Sequence, residues 1–278
     1  MKTVTRVFIG PVATSGQPAA TVFSYTLLGR LDHVTEALGN NTYFSYALQD
    51  HLTHVEQHGD GTTQTRDFSY DNLGNLLSED QPELTFAGSG HDVSYGPYDS
   101  VGNLLSKRDA QGQLWSYQYD SAGRPNLISV KRPTDSDYQA YQEFEYDGIH
   151  TSGMCSSMNN PFGYACGKLI RTLQFPLAPD EMDIQHQYYY NDAGGRLSKH
   201  EFNSNFLESS HFVWGYTYDD YGLVDHVRYP VHVLPGQSEL FDQYLDYDYQ
   251  YGLPVSLKRC RCGRVDGQPC DVGATCES

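Results

Sequence analysis

The chain has 278 residues, enough for one or two domains with a core, and its 35 acidic against 18 basic residues give a net charge of −17. That balance excludes nucleic acid as a direct partner, because phosphate binding needs a basic surface, and leaves solubility or the holding of a basic cargo. No apolar stretch approaches the roughly 18–20 residues of a membrane span, and the start, Met1 to Pro11, is too weakly apolar for a signal peptide. With 23 Tyr, 26 Gly and 13 Pro, the composition leans to β-structure with many turns.

Taken in chain order, residues 1–22 read as a lead-in that continues a preceding strand. A repeat follows over residues 23–257. Its clearest copies begin at Tyr70-Asp71-Asn72-Leu73-Gly74 and Tyr98-Asp99-Ser100-Val101-Gly102, each continuing Asn-Leu-Leu-Ser. Further copies carry Tyr119, Asp120 and Gly123, then Tyr190 with Asp192, then Tyr218, Asp219 and Gly222. Weaker ones start at Tyr25, which lacks the Asp, at Tyr46, which has lost both Asp and Gly, and at Tyr249, one residue short. With Tyr146, the lead tyrosines number nine, and only the interval from Tyr146 to Tyr190 is anomalous.

One unit has a direct physical reading. Tyr-x-Tyr places two rings on one strand face. Asp then opens a turn, its carboxylate accepting backbone N–H groups two residues on. Gly supplies the positive φ a hairpin loop needs, and Arg/Asn-Leu-x-Ser starts the return strand. Second turns, such as Asp109 to Gln113, join the hairpins. The expected fold is therefore all-β: antiparallel hairpin repeats coiled into an open or partial β-solenoid or shell, because one hairpin cannot bury its face alone.

The long interval holds an insertion, about 148–166, that reads as a loop inside one hairpin whose return strand is Gly167-Lys168-Leu169-Ile170-Arg171-Thr172. Cys155 and Cys166 lie in it and are expected to pin it as a disulfide. Residues 258–278 form a short tail with Cys260, Cys262, Cys270 and Cys276. Two disulfides suit it better than zinc, since Cys-x-Cys without a Cys-x-x-Cys partner is poor zinc spacing; the even count of six in a Gly/Pro-rich chain points to disulfides and an oxidising compartment, with reduced cytosolic thiols as the alternative.

The pattern Tyr-x-Tyr-Asp-x-x-Gly-Arg/Asn-Leu resembles the YD repeat of the Rhs family, which includes bacterial Rhs toxins, the C component of insecticidal toxin complexes, and teneurins. The resemblance runs from about Phe23 to Leu257. It implies a hollow β-shell that encloses a C-terminal toxin in bacteria and supports adhesion modules in teneurins. No Asp-Pro cleavage dipeptide occurs, and no toxin domain follows Leu257, so the chain resembles a shell segment. The implied partners are an enclosed toxin domain or adjoining shell segments; the family association with glycan implies a second reading, a carbohydrate- or surface-binding adhesion module.

Catalytic motifs are missing: no Gly-x-Ser-x-Gly, His-Glu-x-x-His, Walker loop or Gly-x-Gly-x-x-Gly. His51, His54 and His58 read as strand residues split across faces rather than a metal face. Single turn Asp residues, with Asp219-Asp220 and Asp246/Asp248 the only dense spots, give no calcium loop. The sequence thus predicts a non-enzymatic scaffold without catalytic residues, metal or cofactor. The implied location is secreted or on the cell surface, with a cytoplasmic stage before leaderless export.

Overall fold

The computed structural model describes residues 2–6, 21–59, 61–84, 91–147, 162–177, 183–191, 194–204, 210–233, 243–261 and 275–277. These residues hold strands and turns and no helix. Two compact units divide the chain, Met1–Gln118 with Ser129–Tyr138, and Tyr119–Ile128 with Gln139–Ser278.

In the first unit the strands are β1 (Lys2–Arg6), β2 (Thr21–Tyr25), β3 (Leu31–Thr35), β4 (Asn41–Tyr46), β5 (Leu52–Gly59), β6 (Thr62–Tyr70), β7 (Leu76–Asp80), β8 (Val93–Tyr95), β9 (Ser106–Arg108) and β10 (Leu114–Tyr119). Each pairs antiparallel with its successor, an uninterrupted meander. Strand β11 (Pro125–Lys131) follows. The second unit continues with β12 (Gln139–Tyr146), β13 (Leu169–Gln174), β14 (Ile184–Tyr189), β15 (Lys199–Ser204), β16 (Ser210–Tyr218), β17 (Val224–Val233), β18 (Gln243–Gln250), β19 (Leu253–Arg261) and β20 (Thr275–Glu277). Here too every strand from β12 pairs antiparallel with the next. Each unit is an open antiparallel sheet, as the hairpin repeat predicts.

The β12–β13 pairing makes Tyr146 and Leu169 partners across the insertion, so the long interval is one hairpin with an extended loop. Most of that loop, with Cys155, and most of the tail, with Cys262 and Cys270, lie outside the described residues.

The described core is thin. Val93, Val130, Ile170, Val213, Tyr244 and Cys260 are buried, while most strand residues are half-buried. Cross-strand pairs therefore carry much of the stabilisation. On one face of β14–β16, Tyr188, His200 and Trp214 are direct register partners and stack as a ladder, with ring centroids 4.7 and 4.8 Å apart. Glu201, one position along, belongs to the opposite face. It is buried but satisfied: it accepts the Tyr189 hydroxyl at 2.7 Å and pairs with Lys199 Nζ at 2.7 Å.

The strict alternation expected around each lead tyrosine is broken. Register shifts fall at Tyr25, Tyr46, Tyr70, Tyr146, Tyr218 and Tyr249. In each case the return strand has one extra residue. Ser69 pairs with Ser78 but Tyr70 pairs with Leu76, leaving Leu77 as the bulge. The x of Arg/Asn-Leu-x-Ser is thus a bulge residue, and the Tyr-x-Tyr spacing gave no sign of it.

Candidate functional site: the turn and its clamp on the next repeat

The turn at Asp71 shows the local design. Gly74 N–H donates to the Asp71 carbonyl at 3.1 Å, and Asp71 N–H donates to the Asn75 carbonyl at 2.9 Å. Asp71 Oδ1 accepts two backbone N–H groups, from Leu73 and Asn75, both at 2.8 Å; Oδ2 accepts Asn75 Nδ2 at 2.9 Å. Asp99 repeats this with Val101 and Asn103, and Asp120 with Ala122 and Arg124. Asp219 holds Tyr221 and Leu223 N–H in the same way. The sequence pointed to the donor two residues on; the structure adds the one four residues on. Asn75 and the other bonds at Asp71 hold its carboxyl below the usual range, as the Asn103 backbone N–H and side chain do for Asp99. At Asp120 partial burial pushes the other way but is outweighed by the Arg124 bonds. Gly74, Gly102, Gly123 and Gly222 all have positive φ.

Degenerate copies keep the geometry. Thr26 Oγ1 replaces the missing carboxylate and accepts Arg30 N–H at 3.2 Å. In the Tyr46 copy Asp50 takes the left-handed position with φ 65°, so the role of Gly is filled although the residue is lost. Gln250 and Leu253 pair directly around Tyr251-Gly252, both at positive φ, which is a two-residue primed turn. Asp147, at φ 68°, accepts Gly167 N–H across the insertion, and its own N–H donates to the Lys168 carbonyl at 3.1 Å. Asp192 lies outside the described residues; Tyr190 hydrogen-bonds through its backbone to Phe162 and Tyr164. Tyr119 ends β10 directly before the Asp120 turn.

What the sequence did not disclose is how one repeat holds the next. Where the residue after Gly is Arg or Lys, it reaches forward over the following lead tyrosine. Arg30 lies 5.2 Å from the Tyr46 ring centroid, Arg124 4.3 Å from Tyr146, Lys168 4.6 Å from Tyr190, and Arg196 4.4 Å from Tyr218. His51 fills this position before Tyr70, stacked at 4.8 Å. The tyrosine answers with its hydroxyl: Tyr98 donates to the Leu76 carbonyl at 2.5 Å, Tyr190 to Leu169 at 2.7 Å and Tyr218 to Leu197 at 2.8 Å. Burial pushes the Tyr98 and Tyr190 phenols up, keeping these donors protonated, and raises that of Tyr146 as well. The signal available in the sequence was the recurrence of Arg or Lys after Gly.

Arg124 is the most engaged of these cations. It donates to Asp120 Oδ2 and to Asp147 Oδ2, each at 2.7 Å, bridging two successive turns. These two carboxylates raise its pKa. Arg124→Met is expected to lower unfolding free energy by about 1–2 kcal/mol, because two partly exposed charge-assisted bonds and the ring contact are lost. Arg124→Lys should recover less than half, since an ammonium lacks the planar fork. Urea titration of both variants checks the order.

The histidines behave differently from a row of strand residues. His51 precedes β5 and belongs to the clamp. His54 and His58 share one strand parity but go to separate partners, Asp67 at 2.6 Å and Glu56 at 2.9 Å. Asp246, one of the dense acidic spots, comes within 4.8 Å of Asp225 and His226, the one three-residue group of metal-ligand type among the described residues. His226 Nδ1 is 2.6 Å from the Asp225 carboxylate, and its Nε2 lies 3.7 Å from that of Asp246.

Residues 98–137 match the family model described as RHS Repeat. No curated protein matches the chain. Among solved structures it is similar to TcdB2-TccC3-Cdc42, with TM-score 0.31 and 13% identity over 88% of this chain and 17% of that one. TcdB2-TccC3 gives TM-score 0.30 and 13% identity over 87% and 17%. A Photorhabdus luminescens Tc holotoxin pore gives 0.25 and 12% over 89% and 20%. The chain spans about one sixth of the length of the first two. The segment that matches the RHS Repeat contains the Asp99 and Asp120 turns, and the same backbone turn recurs from Thr26 to Asp219.

Proposed function

We propose that the chain is a non-enzymatic segment of an Rhs-type shell, a curved β-wall that encloses a toxin segment of the same protein. The observation that carries this reading is the forward clamp. Several turns are closed by their own Asp, and Arg30, His51, Arg124, Lys168 and Arg196 each cover the next lead tyrosine, so an added repeat has a ready partner in the one before it. The turn carboxylates are engaged by backbone N–H groups, which leaves them poor candidates for acid–base work. The clamped tyrosine faces are covered by Arg, Lys or His, which weakens the glycan-binding reading.

Disulfides belong to the same proposal. No described cysteine is a free thiol. Cys260 is buried and stands opposite Cys276 in the β19–β20 register. A Cys260–Cys276 bond, and a Cys155–Cys166 bond in the loop, would suit a wall that works outside the cell. Intact mass with and without reduction, after alkylation, should show these four thiols protected; free alkylation of all four would reject the pairing.

The shell reading is tested by expressing this segment with the coding region that follows it and applying limited proteolysis. The following segment should survive protease levels that digest it when expressed alone. Equal digestion in both contexts would reject enclosure.

A further inference from the structure

The meander sorts its turns. From β2 to β9 the connections β2–β3, β4–β5, β6–β7 and β8–β9 fall on one rim of the first unit, and the intervening connections fall on the other, as antiparallel pairing of consecutive strands requires. All four turns of the first rim carry large apolar side chains at their tips, and water surrounds them. Relative exposure is 91% at Leu27, 77% at Leu28, 104% at Leu48, 88% at Leu73 and 79% at Val101. On the other rim Leu38 is the one counterpart among the described residues; the Asp109–Gly112 turn there has Ala110 and Gln111.

The hairpin does not need these side chains. The tip residue contributes a backbone N–H to the turn Asp, as Leu73 and Val101 do, and Ala122 and Gln111 do the same. An apolar tip in every turn of one rim therefore answers to something outside the turn. Adjacent strands lie about 4.8 Å apart, so these tips recur about every 10 Å along roughly 30 Å of rim.

We propose that this rim docks against the same rim of a second copy of the chain, in a two-fold arrangement. A row of teeth with a period near 10 Å is matched throughout its length by a surface of the same period, and a two-fold axis supplies one by setting the rim on itself. The area agrees with a modest dimer. Each large apolar side chain removes roughly 60–120 Å² from water, so five remove about 300–600 Å² per copy. The total, about 600–1,200 Å², sits at the lower edge of specific interfaces, which places the dimer in the weak class. Charge near the teeth does not oppose contact locally: Asp71 and Asp99 are turned onto their own backbone N–H groups, and Asp50 pairs with Arg30 at 2.7 Å. The net charge of −17 does oppose it at long range, so association should strengthen with added salt. This inference is independent of what the wall encloses.

Sedimentation velocity on the full chain across a concentration series, at low and high salt, tests it. The expected result is a reversible dimer, stronger at high salt. The double variant Leu48→Ser/Leu73→Ser should weaken it at least about tenfold. Its thermal transition should match the wild type, since both side chains lie outside the turn's hydrogen bonds, and Gln111→Ser on the other rim should leave the dimer unchanged. A monomer at every concentration and salt would overturn the proposal, as would a dimer indifferent to the double variant. Binding to phosphatidylcholine vesicles by a chain that stays monomeric in solution would assign the rim to a membrane surface instead.

Discussion

Gly74→Val is expected to lower unfolding free energy by about 3–4 kcal/mol, against about 1–2 kcal/mol for Gly102→Val, both read from chemical denaturation. The two glycines occupy equivalent turns at φ 89° and 91°, where a β-branched residue is strained to a similar extent. Their surroundings differ. A Cβ at Gly102 would meet nothing closer than the Asn75 side chain at 3.8 Å, whereas one at Gly74 would sit 2.8 Å from two ring atoms of His51. His51 cannot simply swing away, because it is stacked on Tyr70. Displacing it breaks the clamp between successive repeats, and an aromatic stack is worth about 0.5–1.5 kcal/mol. Equal losses at the two sites would show that the clamp carries no stability.

Acidification should unfold the protein in two stages. His186 Nδ1 and His200 Nε2 lie 2.8 Å apart, with His200 stacked between Tyr188 and Trp214. One proton can be shared between these nitrogens. A second would set two N–H donors against each other, so full protonation requires the rings to part. Burial first, and His186 second, push the His200 pKa down to about 4, while Glu201 acts weakly the other way; burial also lowers that of His186. A histidine whose folded pKa is depressed stabilises the fold fully above its ordinary value near 6.5. That contribution disappears as pH falls towards 4. Discounted for partial solvent screening, the loss is about 1–2 kcal/mol. Below that window Asp71, Asp99 and Asp120, whose pKa values are lowered, protonate and release their turns. His200→Phe should abolish the first stage and keep the second; stability measured from pH 7 to 3 for both proteins distinguishes them. A first stage that persists in the variant would assign it to other groups.

The hairpin repeat, its antiparallel order and the loop within one hairpin were legible because each rests on local chemistry. Asp71, Gly74 and their equivalents announce a turn within five residues. The bulge opposite six of the lead tyrosines was not legible, since it arises from the pairing of two strands and leaves no mark in either. The clamp was half legible. Arg124 stands in the motif, but that its fork joins Asp120 to Asp147 depends on the next turn arriving beside it. The replacement of Gly by Asp50 was hidden for a related reason: the requirement is a left-handed backbone, which Asp can meet at a cost. The ladder of Tyr188, His200 and Trp214 joins three strands, and no spacing within one of them points to it.

The turn at Asp147 has a consequence for how such chains change over time. Its two halves, Asp147 on one side and Gly167-Lys168 on the other, make the closing bonds of an ordinary turn although 19 residues separate Asp147 from Gly167 in the sequence. Lengthening a loop raises its closure entropy only slowly, by about 0.6 kcal/mol per doubling. A turn that recognises its partner by geometry rather than by adjacency can therefore act as a port. New sequence can enter there while the strands on either side keep their register, and with it their hold on the repeats before and after.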